Sequence, residues 1–101
     1  METPTKVGVI FDESSPNWSR IDMNNLMFLR MTMNYAQNML QARGHVFVNE
    51  IFDMLGLKRR PFGQLLGWVH PQTDLVIYDV EKQDDHYILT FYTQGDIHES
   101  I

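Results

Sequence analysis

No cysteine occurs among the 101 residues. Its absence removes disulfides, thiolate nucleophiles and sulfur-ligated metal, and it permits a reducing compartment. Long apolar runs are missing too. Nothing approaches the roughly 18 residues that a bilayer-spanning helix needs, so no membrane partner is expected. The opening residues METPTKVGVIFDE lack the basic-then-apolar order of a secretory leader, and the cytoplasm is the expected location. Basic residues are scarce in one region above all. Residues 1 to 73 hold seven basic and six acidic groups, whereas residues 74 to 101 hold Lys82 alone against seven acids. A surface so acidic disfavours double-stranded nucleic acid as a partner.

What is present reads as one folded domain over 1–101. An apolar fraction of 44 % with 21 % charged residues is that of a globular chain. Val7, Val9 and Phe11 alternate through KVGVIF, the pattern of a short strand over residues 6 to 11. DESSPNW, residues 12 to 18, is turn chemistry, and Trp18 is its expected anchor. Residues 22 to 42 contain no Gly or Pro and predict one long helix, with Asp22 as its cap. Leu26, Leu29, Met33, Ala36 and Leu40 fall on one face. Phe28, Met31, Tyr35 and Met39 form a second stripe, and Arg30, Asn34, Gln37 and Gln41 the polar face. Two apolar stripes imply either a helix covered on both sides or one that also meets a partner.

Gly44 is placed to stop this helix. HVFV is then an apolar connector, and NEIFDMLG a short helix with Asn49 as cap, Glu50 in its first turn and Gly56 as its end. Residues 57 to 74 read as a long connector, in which FGQLLGW can hold one helical turn. DLVIYDV and HYILTFY are two strands joined by the polar turn EKQDD. The expected fold is therefore α+β: a small antiparallel sheet packed on one long helix, plus a short helix.

Chemistry is harder to find. His45, His70, His86 and His98 form no helical metal-binding pair, and His86 after Asp84 and Asp85 is read as a solvated turn. Ser14, Ser15 and Ser19 lack a glycine elbow, and Glu50 with Asp53 reads as helix-dipole charge rather than an acid–base pair. No phosphate loop is present. No catalytic residue, metal or cofactor is expected. One binding surface is. Arg43, Lys58, Arg59 and Arg60 flank the short helix and can converge, with His45 at the rim and Tyr35, Phe62 and Trp68 available to stack a base. A small nucleotide is the natural ligand for such a surface. The ordinary alternative is that these cations are simply solvated at helix ends.

FDESSPNW, NNLMFLR, NYAQNMLQARGHVFVNEIFDMLGL, GQLLGWV, IYDV and LTFYTQGDI follow one another in an order that resembles an uncharacterised family of small bacteriophage proteins. The resemblance spans residues 11 to 97, and KRRPF departs from its pattern. It implies expression in a host bacterial cytoplasm and carries no catalytic residues with it. A small acidic phage protein without an active-site constellation is expected to act by binding. Counter-defence is the first expectation: inhibition of a bacterial immune protein or capture of its nucleotide signal. A virion or assembly protein is the alternative. The two-stripe helix and the two-faced hairpin predict a homo-oligomer.

Overall fold

A computed structural model describes residues 5–98. The elements are β1 (Lys6–Phe11), α1 (Asp22–Arg43), β2 (His45–Phe47), α2 (Val48–Leu55), a 3-10 turn (Pro61–Gln64), β3 (Gly67–Val69), β4 (Ile77–Lys82) and β5 (Tyr87–Tyr92). β5 lies between β1 and β4 in an antiparallel sheet, and β2 pairs with β3 in a second, two-stranded one. The fold is α+β, as the element pattern predicts.

The main sheet is two-faced because its strands alternate. Val7, Val9 and Phe11 of β1 and Tyr87, Leu89 and Phe91 of β5 are buried on one side. The packed side of α1 carries Leu29, Met33, Ala36 and Leu40 into the same core. Phe11 packs at 5.4 Å from Trp18 and 5.6 Å from Phe28, and Trp18 meets Tyr87 edge-on at 5.8 Å. Trp18 is thus the anchor its loop requires. Phe91 joins this side of the core to Phe52 and Trp68, at 6.3 and 6.1 Å.

The ends of α1 depart in part from expectation. The N-cap position is Ile21, which has no side chain able to cap. Asn25, one turn inside, does the work instead: its amide accepts from Ser19 N–H and donates to Ser19 C=O, each at 2.8 Å. Asp22 is already helical, and its carboxylate holds Lys82 at 2.5 Å, tying the helix start to the end of β4. Gly44 adopts φ +87° and returns its N–H to Leu40 C=O at 2.8 Å. That left-handed conformation is where a residue with a Cβ is strained.

HVF, the first three residues of HVFV, is a strand rather than a connector, and Val48 is already helical. His45, Val46 and Phe47 pair with Val69, Trp68 and Gly67. Trp68 behind them is fully buried and donates its indole N–H to Tyr92 C=O at 2.9 Å, stitching the small sheet to the large one. α2 begins at Val48, one residue earlier than a helix capped by Asn49. Phe47 occupies the cap and cannot accept a hydrogen bond, so the Glu50 carboxylate reaches back to Phe47 N–H at 3.0 Å. Asn49 is freed for a different task. Its amide donates to Arg60 C=O at 2.9 Å and accepts from Arg60 N–H at 3.0 Å, pinning the connector after α2. Ser15 Oγ donates to Leu55 C=O at 2.8 Å, satisfying a carbonyl at the C-terminus of α2.

Candidate functional site

The cations proposed to gather around α2 do lie along it, but most are already occupied. Arg43 Nη2 donates to Glu50 Oε1 at 2.7 Å and to His45 C=O at 3.1 Å. Burial pushes the Glu50 carboxyl up, yet the Arg43 guanidinium and the Phe47 amide outweigh it and hold the group below the usual range. One turn on, Arg59 makes a bidentate contact with Asp53, Nε to Oδ1 at 2.9 Å and Nη2 to Oδ2 at 2.5 Å. That hydrogen bonding keeps the Asp53 carboxyl low as well. Arg43, Glu50, Asp53 and Arg59 thus form a strip of mixed charge with no net sign, not a basic surface.

The remaining members stand apart. The Arg60 guanidinium lies 5.7 and 5.8 Å from the Phe52 and Phe62 ring centres and reaches Gly8 C=O at 3.4 Å. It belongs to the edge of β1. Lys58 is exposed and makes no ion pair among the described residues. His45 meets Phe47 edge-on at 5.6 Å. Tyr35 is exposed on α1. Trp68 has no exposed face, so it cannot stack a base; its ring completes the core and its N–H is spent on Tyr92. Sequence spacing brought these residues near α2 but said nothing of the carboxylates that pair with them.

An acidic recess of about 340 Å³ lies between Asp12, Glu13, Trp18, Asp85 and His86. His86 Nδ1 is 2.6 Å from Asp85 Oδ1, and Ser14 holds the Asp12 carboxyl low with two hydrogen bonds. No group of three or more His, Asp or Glu able to hold a metal ion occurs among the described residues. No helix among them is long and apolar enough to cross a membrane.

The most unusual surface is the outer side of α1. Met23, Met27, Met31 and Tyr35, four residues apart, form a continuous ridge and are between 56 % and 68 % exposed. Leu26, expected in the core stripe, is 47 % exposed because it sits at the margin of the arc that Asn25, Leu29 and Met33 bury. Beside the ridge, Phe28, Met31, Thr32, Tyr35 and Met54 line an open groove of about 390 Å³ between α1 and α2. Between residues 23 and 42 the only ionic side chain is Arg30. Solvated helix faces normally carry many charges; this one is made of Met, Tyr, Asn and Gln. Of the second stripe that the periodicity predicts, Met31 and Tyr35 are on this ridge, while Phe28 and Met39 pack against the core; Met23 and Met27 of the ridge and Met54 of the groove lie outside that stripe. Gln37, assigned to the solvated face, instead donates to Asp74 C=O and accepts from Val76 N–H at 3.0 Å. It fastens the segment entering β4 to the helix.

Fold and surface together define a small α+β protein built around a sparsely charged helix with an exposed apolar ridge. The chain belongs to the family of unknown function DUF6353, matched over residues 2–101. No curated protein and no solved structure gives a significant match.

Proposed function

We propose that this protein acts by binding rather than by catalysis: it self-associates through α1 and inhibits a bacterial defence protein. The ridge of Met23, Met27, Met31 and Tyr35 carries the reading. Rows of side chains four apart on two helices interdigitate at a crossing angle near −50°. A two-fold pair needs the same patch on both copies, which one ridge supplies. The exposed parts of these four residues and Leu26 amount to about three whole side chains. At roughly 200 Å² for a large side chain that is about 600 Å² per copy. A standard interface takes about 800 Å² per partner, and flanking residues cover the difference. Charge does little to oppose the pairing, because Arg30 is the one ionic side chain between residues 23 and 42.

The likeness to small phage proteins supplies the biological setting and favours a defence protein of the host as the target. A nucleotide signal has less behind it, since Arg43 and Arg59 already hold carboxylates. The test has two arms. The purified protein is expected to sediment as a dimer or larger, and Met27→Lys with Met31→Lys to leave a folded monomer. Expressed in a defended strain, the wild type is expected to restore phage growth and to co-purify with a defence component. A monomer that neither protects phage nor captures such a component sinks the proposal. Exposed Leu75, Ile77 and Val80 around β4 support a second reading, a virion or assembly protein. Mass spectrometry of purified particles separates the two, because an inhibitor is absent from them.

A further inference from the structure

The two edges of the main sheet are treated differently. Gln83 N–H donates to His86 C=O at 2.8 Å and Thr93 N–H to Thr5 C=O at 2.9 Å, which sets the phase of both ladders. In an antiparallel pair, every second residue turns its N–H and C=O away from its neighbour. With Ile77 opposite Tyr92 and Asp79 opposite Thr90, the outward groups of β4 are those of Tyr78, Val80 and Lys82. On β1 they are those of Lys6, Gly8 and Ile10. The β1 edge is guarded: the Arg60 guanidinium sits on Gly8 C=O, whereas the Lys6 ammonium lies inward over Tyr92 of β5. Such cations are the usual means of keeping an edge from recruiting strands. β4 has none of this. It contains no proline, and the ammonium of its one lysine is held by Asp22.

The geometry points to β4 as a docking edge for an extended basic segment of another protein, added as a further strand. Charge complementarity selects the occupant. Glu81 and Asp79 project from the outer face, Asp79 also accepting a hydrogen bond from the Tyr92 hydroxyl at 2.7 Å, and Asp84 flanks the strand together with Asp74 and Asp85, which contact His70 and His86. A residue directly opposite on an added strand shares the face of its neighbour. Lysine or arginine would therefore face Asp79 and Glu81, and apolar residues would alternate with them beside Tyr78 and Val80. On that inner side a groove of about 380 Å³ opens between Met33, Gln37, Val76 and Tyr78. The ligand is thus a strand alternating basic and apolar residues, bound through main-chain hydrogen bonds with charge and groove giving selectivity. A second β4 is a poor occupant, because pairing about Val80 sets Asp79 against Glu81. The inference rests on reading the protein as a binder, but on a surface separate from the α1 ridge.

The test uses the full chain and an alternating lysine–valine peptide of about eight residues, the length of a strand. Saturable binding is expected, weakened by salt, with the largest amide NMR shifts at Tyr78, Val80 and Lys82. A glutamate–valine peptide, or the first peptide N-methylated at every second amide in either phase, is expected to bind at least about tenfold more weakly. Val80→Pro removes an outward N–H without costing a ladder bond and is expected to abolish binding. Asp79→Lys with Glu81→Lys is expected to reverse the preference between the two peptides. Met27→Lys with Met31→Lys, which tests α1, is expected to leave peptide binding unchanged. Equal binding of the acidic or N-methylated peptide, shifts confined to α1, or no binding overturns the proposal.

Discussion

Replacing Gly63 by Ala is expected to unseat Asn49. A Cβ at Gly63 would lie 2.1 Å from Asn49 Oδ1 and 2.6 Å from its Cγ, so the asparagine must leave. With it go two hydrogen bonds to the Arg60 backbone, at 2.9 and 3.0 Å. Each is worth about 1 kcal/mol net, and a backbone group left unpaired adds to the loss, so about 2 to 3 kcal/mol is expected. Asn49→Ala removes the same two bonds and is expected to cost a similar amount, less the few tenths that alanine contributes as a better helix former. The consequence is strong coupling. In the Asn49→Ala background the methyl at residue 63 enters vacated space, and the smaller backbone freedom of the unfolded chain favours alanine by about 0.4 to 1 kcal/mol. The double variant should therefore be no less stable than Asn49→Ala alone. Urea unfolding of the four proteins, with equal m-values, measures this. Additive losses of about 5 kcal/mol would refute the idea that residues 49 and 63 share one space.

Further outcomes concern other contacts. Trp68→Phe removes the hydrogen bond to Tyr92 C=O and leaves unfilled space in the core, and is expected to cost about 2 to 3 kcal/mol in chemical denaturation. A change under about 0.5 kcal/mol would mean that the two sheets are not joined there. Glu50 and Asp53 have folded-state carboxyls lowered by their partners, so their contribution is fully present above the ordinary carboxylate range and is lost as pH falls from that range through the lowered folded values. Melting temperature is expected to drop on acidification below about pH 4, and less steeply in Arg43→Met with Arg59→Met. A steeper drop in that variant would show that these pairs do not set the acid response.

What was readable from the amino-acid order follows from range. β1, α1 and the β4–β5 hairpin announce themselves because their periods are local and long enough to count. β2 and β3 are three residues each, too short for a period, and exist because Trp68 and Val46 pair across an intervening helix and turn. Asn49 has the chemistry of a cap, but a cap is defined by the backbone angle at which the helix starts, and that start is at Val48. Chain order places Arg43 and Arg59 near α2 but does not show the carboxylates that pair with them. Their neutralisation depends on which way Glu50 and Asp53 face, and this is set by the packing of Ile51, Phe52 and Leu55 into the core. Gln37 reads as part of the polar face for a similar reason, because its partners lie beyond residue 73.

The position of β5 in the sheet has a consequence for synthesis on the ribosome. β1 emerges first, yet its ladder partner is the last strand, so Lys6 must wait for Tyr92. β4 likewise has no neighbour until β5 follows it. Until then the valines of β1 and the inner side of α1 have no sheet to pack against. At about 5 to 20 residues per second that interval lasts several seconds. Contacts so distant in sequence also slow folding once the strand is made. The nascent chain therefore passes through a vulnerable stage in which β1 and the Met-rich helix are both exposed. Chaperone engagement is expected to fall away only after residue 92 clears the ribosome, which arrested chains of graded length can reveal.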